Sequence, residues 1–261
     1  MPYCSVNGIR IYYEISGEGF PMVLIHANPF DRRLWLHQIA SFSTYFKVIA
    51  VDLRGYGHSD KPTTKTSLSM MAEDVMGVCR QEELKEAVVM GISVGGNVAL
   101  QLGLDHPDVF KALILVGCSS GPSEHRTRID GYLNEGVEKY HIQHLRALVS
   151  PEFADSTLGK YLLARFTDTD PKLNPESLRQ IFEALEVKNL TPRLPELKMP
   201  VLLLNGEFDG TLPRTRQMSE RISGAVHRVV PGTGHACCLE NPMEFDAMVR
   251  EFLRKHRFMP E

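Results

Sequence analysis

Residues 91–97 read Gly-Ile-Ser-Val-Gly-Gly-Asn, and they pose the question of why a serine stands between glycines. The frame Gly91-Ile92-Ser93-Val94-Gly95 fits the pattern G-x-S-x-G, in which a strand turns abruptly into a helix and the serine holds a strained, exposed position at the corner. Small residues on either side keep so tight a turn free of clashes. There the hydroxyl would project from the sheet edge, beside backbone N–H groups and the positive end of a helix, which stabilise developing negative charge. That is what a nucleophile needs.

A serine hydroxyl attacks well only when a neighbouring base takes its proton, so Ser93 requires a histidine and a carboxylate to orient it. Two later stretches offer both. Gly206-Glu207-Phe208-Asp209-Gly210 follows an apolar run at 201–205, and Pro231-Gly232-Thr233-Gly234-His235 follows another at 226–230. Each lies at the carboxyl end of a predicted strand, where doubly wound sheets place their sites. His235 is the candidate base, and Asp209 and Glu207 compete for the acid position. Such a set supports acyl transfer: Ser93 attacks a carbonyl, His235 relays the proton, and water then opens the acyl-enzyme. The rate should fall in acid, as protonated His235 loses its acceptor.

Other reactive residues read as structural. Adjacent cysteines such as Cys237 and Cys238 do not easily bond to each other, and no second Cys or His cluster with zinc spacing lies nearby. Packing is their expected role, with sensitivity to thiol reagents expected from their closeness to His235. His141 and His144 share a helix face but lack a third ligand. Neither a metal nor a cofactor is expected.

The elements that must position these residues are legible as apolar runs. Val6-Asn7-Gly8 followed by Ile9-Arg10-Ile11-Tyr12-Tyr13-Glu14-Ile15 predicts an opening antiparallel hairpin, because Asn-Gly suits a two-residue turn. Short apolar runs at 22–25, 48–51, 87–90, 112–116, 201–205 and 226–230 alternate with helical segments, the pattern of a mostly parallel sheet covered on both faces. The fold class is therefore doubly wound α/β. The helix after Ser93 carries Gly95, Gly96 and Ala99 on its early turns and stops at His106-Pro107. In the last helix Asn241 caps, Pro242 takes the first position, and Phe245, Met248, Val249, Phe252 and Leu253 form an apolar stripe. Trp35, Ile39 and Phe42 form another.

Between Cys118 and Pro200 the strand rhythm lapses for about eighty residues, longer than an ordinary crossover. Leu133, Val137, Tyr140, His144 and Leu148 recur at helical spacing, as do Leu158, Leu162 and Phe166, then Leu178, Ile181 and Leu185 after Asn174-Pro175. Three or four helices are predicted. The organisation that follows is a core of residues 1–120 and 196–261 with a helical cap at 121–195.

The 261 residues carry a formal net charge of −3 and a pI near 6.4, which provide no broad attraction to phosphate backbones or anionic membranes. Nucleic acid and membrane are not expected as partners. Five irregularly spaced cysteines suggest reduced thiols in the cytoplasm rather than a disulfide framework. The chain opens directly into a strand-like pattern with no charged and apolar leader, and no apolar run approaches the roughly 20 residues of a bilayer span.

With these segments in order, the chain resembles the α/β-hydrolase fold family over nearly all of its length. His26-Ala27-Asn28-Pro29 looks like the family's loop after the third strand. Asp52-Leu53-Arg54-Gly55-Tyr56-Gly57-His58-Ser59 resembles its D-x-R-G-x-G-x-S segment, and Leu239-Glu240-Asn241-Pro242 the stretch after its histidine. The order Ser93, Asp209, His235 is the family's order. The resemblance favours Asp209 over Glu207 as the acid, and implies that the backbone N–H groups of Val94 and Asn28 form the oxyanion hole. Ala27 stands where the family usually has glycine, and alanine disfavours positive φ, so the loop is expected to sit differently. His26 reads as a loop-ordering hydrogen-bond partner, and Asp52 and Arg54 as charges paired within a tight turn.

Within the family the chain looks most similar to enol-lactonases and small serine carboxylesterases, which implies hydrolysis of a small-molecule ester or lactone. Carbon–carbon bond hydrolases of ring-cleavage products, cofactor-free haloperoxidases and non-enzymatic ligand receptors share the fold. The serine argues against haloalkane displacement, which uses a carboxylate nucleophile. Phe30, just past the oxyanion loop, would line an apolar substrate pocket or plug the cap interface.

Overall fold

The computed structural model describes residues 3–167 and 172–260. Among them eight strands form one sheet: β1 Tyr3–Val6, β2 Ile9–Ser16, β3 Phe20–Ile25, β4 Phe46–Val51, β5 Ala87–Ile92, β6 Phe110–Val116, β7 Val201–Gly206 and β8 Val226–Val230. Their spatial order is β1-β2-β4-β3-β5-β6-β7-β8. β1 and β2 are antiparallel across Asn7 and Gly8, both at positive φ (49° and 74°), as the predicted two-residue turn demands. β2 runs antiparallel to β4, and the strands from β4 to β8 pair in parallel. The chain goes one way from β3 to β4 and the other way from β3 to β5. The carboxyl ends of β3 and β5 thus flank the switch point where such sheets open a crevice.

The helices are α1 Leu36–Phe42, α2 Leu68–Gln81, α3 Val94–Asp105, α4 Arg126–Asp130, α5 Val137–Ala147, α6 Pro151–Asp155, α7 Thr157–Thr167, α8 Pro175–Val187, α9 Leu212–Arg221, α10 Cys237–Glu240 and α11 Pro242–Lys255. Alternate residues of each parallel strand point to opposite faces, so the apolar runs feed two cores. Val23 and Ile25 join one, with α2, α3 and α8; Met22 and Leu24 join the other, with α1, α11 and α7. α11 forms as predicted: Asn241 accepts from Glu244 N, Pro242 follows, and Phe245, Val249, Phe252 and Leu253 are buried. Asn174 caps α8 in the same way, accepting from Glu176 N and Ser177 N. Such caps are worth about 1 kcal/mol each.

The segment between β6 and β7 departs from expectation. It holds five α-helices and a π-turn at Gly131–Glu135, where three or four helices were predicted. Gly136, at φ 87°, breaks the apolar repeat before α5, which leaves Leu133 44% exposed. Ser156 separates α6 from α7, and Leu158 is 57% exposed. Leu162, Phe166, Leu178, Ile181 and Leu185 are buried as the spacing predicts. No helix among the described residues is long and apolar enough to cross a membrane.

Candidate active site

Ser93 stands between the end of β5 and the first turn of α3 with φ 57° and ψ −117°. Its N–H donates to Val116 O at 2.8 Å and its carbonyl accepts from Asn97 N at 3.0 Å. A residue with a β-carbon held there stores strain of about 1–3 kcal/mol, which the packed elements on both sides maintain. The turn is possible because Gly95 has no side chain: a β-carbon would lie 2.2 Å from Ile25 O and 2.5 Å from His26 O. α3 therefore begins against the end of β3.

Asp209, in the β7–α9 connection, is 4% exposed. Its Oδ1 accepts from His235 Nδ1, Thr211 N and Thr211 Oγ1, each at 2.9 Å, and its Oδ2 accepts from Asn205 Nδ2 at 3.0 Å. Asn205 is oriented by His227, whose Nε2 bonds to Asn205 Oδ1 at 3.0 Å. Burial by itself would raise the Asp209 pKa. The adjacent His235 and these donors outweigh it and hold the carboxyl well below the usual carboxylate range. With Nδ1–H committed to a carboxylate, Nε2 of neutral His235 carries the lone pair. Glu207, the competing acid, is exposed and accepts from Gly232 N at 2.8 Å, so it holds the turn after β8.

Ser93, Asp209 and His235 line one cavity of about 430 Å³. Gly117, Thr211 and Asn205 contribute to this arrangement and had no clear signal in the sequence. Gly117, after β6, lies at φ 53°, and a β-carbon there would come within 2.8 Å of both Asp209 Oδ2 and His235 Cε1. Thr211 and Asn205 complete the carboxylate's shell. Glu240 accepts from Gly234 N with one oxygen and from Ser150 N with the other, both at 2.8 Å, and Ala236 N donates to Leu148 O at 2.7 Å. The loop that carries His235 is thus pinned to the α5–α6 junction.

Val94 is the first residue of α3, where backbone N–H groups have no partner within the helix. Asn28 follows β3, and its bond to Pro29 is cis. Ala27 is fully buried with φ outside the left-handed region, so the alanine is accommodated without strain. The Asn28 side chain accepts from Tyr56 OH at 2.8 Å and lies 3.4 Å from His144 Nδ1, which also bonds to Tyr132 OH at 3.0 Å. The loop is therefore tied to α5 through polar groups. His26 is fully buried and both its ring nitrogens serve the backbone, Nδ1 with Ala27 O at 2.9 Å and Nε2 accepting from Leu53 N at 3.0 Å. Asp52 pairs with Arg32 and accepts from His58 N, while Arg54 pairs with Asp74; the two charges of that turn reach outward rather than to each other.

Phe30 is buried and meets Phe166 of α7 edge-on at 4.8 Å, and it is not part of the cavity lining. It packs between core and insertion. Cys237 and Cys238 are fully buried free thiols in α10, pushed up in pKa chiefly by burial. The expected sensitivity to thiol reagents does not fit a position closed to solvent. His141 bonds to Phe166 O at 2.6 Å.

A family model described as alpha/beta hydrolase fold matches residues 21–242. Pimeloyl-[acyl-carrier protein] methyl ester esterase of Vibrio vulnificus (strain YJ016) is 26% identical over 259 residues, covering 94% of this chain and 98% of that protein. The crystal structure of the enol-lactonase from Burkholderia xenovorans LB400 superposes with a TM-score of 0.91 at 25% identity, covering 97% of this chain and all of that one. Est816, described as an N-acyl homoserine lactone degrading enzyme, superposes with a TM-score of 0.83 at 28% identity, covering 96% of this chain and 100% of that one.

Proposed function

The chain belongs to the α/β hydrolase fold family, and from that premise we propose that it is a serine hydrolase that cleaves a small carboxylic ester or lactone. The observation that carries this reading is the 2.9 Å bond between Asp209 and His235 in the cavity that also contains Ser93. Neutral His235 takes the hydroxyl proton at Nε2 as Ser93 attacks the carbonyl, and Asp209 stabilises the imidazolium that results. The oxyanion is met by the N–H groups of Val94 and Asn28, donors worth about 3 kcal/mol each in such sites. Expulsion of the alcohol leaves an acyl-enzyme, and water activated by His235 releases the acid. An ester-cleaving enzyme and two lactone-cleaving ones among the similar proteins support the substrate class.

Residues 121–195 act in this reading as a cap over a core of 1–120 and 196–261, and they set the pocket's shape. Five free thiols suit a reducing compartment, and we place the enzyme in the cytoplasm. The deciding experiment is stopped-flow release of p-nitrophenol from a short-chain p-nitrophenyl ester by wild type and Ser93→Ala. A burst or steady turnover confined to the wild type is expected. Absence of turnover in both folded proteins would favour a carbon–carbon bond hydrolase or a ligand receptor.

A further inference from the structure

The N–H of Asn28 belongs to the peptide it shares with Ala27, and that peptide is held at its carbonyl end. Ala27 O accepts from Phe30 N and from His26 Nδ1, both at 2.9 Å, and His26 Nδ1 is a donor because Nε2 of the same ring accepts from Leu53 N. The cis bond lies one peptide further on, between Asn28 and Pro29. In a trans peptide the N–H points opposite to the carbonyl. The Asn28 N–H is therefore turned away from His26, and among the described residues it meets no acceptor.

The side chain of Asn28 is gripped from two sides. Its Oδ1 accepts from Tyr56 OH at 2.8 Å on the core side, which turns Nδ2 toward the segment between β6 and β7. There Nδ2 lies 3.4 Å from His144 Nδ1 of α5, and Tyr132 OH, from the π-turn, lies 3.0 Å from the same nitrogen. An amide nitrogen only donates, so His144 Nδ1 carries the lone pair of a neutral ring, and Tyr132 donates to it as well. Burial chiefly, with Arg128, His141, His235 and His125 adding to it, holds the His144 pKa well below 6.5 and keeps the ring in that form. Asn28, Tyr56, Tyr132 and His144 are each 5% exposed or less, so solvent does not replace a lost partner. The same helix reaches the other half of the site. Leu148, one turn beyond His144, accepts at 2.7 Å from Ala236 N, next to His235.

Resting on the hydrolase reading of Ser93, we propose that Tyr132 and His144 are positioning residues for the oxyanion hole: by holding the Asn28 side chain they fix the aim of the Asn28 N–H, so that this core residue acts only with the β6–β7 segment docked. Neither of them lines the Ser93 cavity. In the step they serve, the Ser93 oxygen bonds to the carbonyl carbon, the carbonyl electron pair moves onto its oxygen, and the hydroxyl proton passes to His235. The charge on that oxygen develops only on the way to the tetrahedral intermediate, so a misdirected donor lowers kcat and leaves KM nearly unchanged.

The test uses Tyr132→Phe, which removes one oxygen, and His144→Leu, which removes the acceptor, with circular dichroism as the check on folding. With p-nitrophenyl acetate each should lower kcat by about tenfold to a hundredfold, at or below the loss of an oxyanion donor outright, with KM within about twofold. Affinity for 1,1,1-trifluoropentan-2-one, to which Ser93 adds to form a tetrahedral oxyanion, should fall by the same factor. His144→Asn, whose Oδ1 can accept where Nδ1 did, should keep most of the rate, and the double variant should lose no more than the worse single one, because both cut one link. Hydrogen exchange over residues 26–31, followed by mass spectrometry, should quicken about tenfold in the two damaging variants, a readout free of turnover. Unchanged kcat and exchange in folded Tyr132→Phe overturn the positioning role and leave the hydrolase reading standing, and so does a loss confined to KM. His144→Asn as damaging as His144→Leu overturns the acceptor assignment. A wild type that neither cleaves the ester nor binds the ketone, with exchange still quickened by the variants, sinks the hydrolase reading and keeps the grip on Asn28. If His144→Leu does not fold, Tyr132→Phe decides by the same measurements.

Discussion

Asp209 and Glu207 stand two positions apart in one loop, and only Asp209 reaches His235. Asp209→Asn should lower kcat by about 10⁴ with the melting transition little changed, because the amide leaves His235 in the wrong tautomer. Glu207→Gln should leave kcat within about twofold. Exchange of these two effects in steady-state ester hydrolysis would reassign the acid. Gly117→Ala should lower kcat by tenfold or more, since the added carbon displaces the Asp209–His235 pair from beneath. Its thermal transition should move less than its activity, which a melting curve run beside the kinetics would check. Ser93 and His235 could be read from the sequence as candidates because each follows an apolar run and has a distinctive chemical type, whereas Asp209 is separated from Glu207, in the same loop, only by the family resemblance. Gly117, Asn205 and Thr211 could not, because their contribution depends on how three strand ends meet in space. Phe30 shows the same limit: its neighbour Phe166 is 136 positions away, and spacing says nothing of that contact.

At the scale of elements, the parallel sheet was legible because strands buried on both faces must be apolar throughout. β5 and β7 extend past the predicted runs, to Ile92 and Gly206, because Gly91 and Gly206 interrupt the apolar pattern without ending the strand. The helices between β6 and β7 were less legible. They are short and amphipathic, and their boundaries at Gly136 and Ser156 break a repeat that spacing alone would continue. The junction of α3 with β3 allows a sharp prediction. Gly95→Ala places a carbon against two backbone carbonyls that no rotamer can move, so α3 must shift or the elbow must open. A loss of about 3 kcal/mol or more, or failure to fold, is expected in urea denaturation. Unchanged stability would contradict the close approach of helix and strand.

Across the whole molecule, acid should be destabilising. Burial is the leading cause that pushes His26, His125, His141 and His144 down from the ordinary 6.5, His125 to about 3. Between about pH 3 and 6.5 the unfolded chain therefore binds more protons than the folded one, and stability rises with pH through that window. Asp209, depressed in the folded state, adds stability that is present above its unfolded value near 4 and is lost as pH falls below it, which is the same direction. The melting temperature should drop by about 5 °C or more from pH 7 to pH 5, and a flat profile would show that these imidazoles are not held neutral by the fold. Cys4, Cys79, Cys118, Cys237 and Cys238 are all free and buried, and they are distributed from the edge strand β1 to α10, just after His235. A sealed thiol reacts with a disulfide reagent only during the moments its surroundings open, so each cysteine is a clock for one region. Cys4, whose strand pairs on one side with β2 alone, should exchange first, and the labelling order of the unmodified protein would map its opening free energies segment by segment.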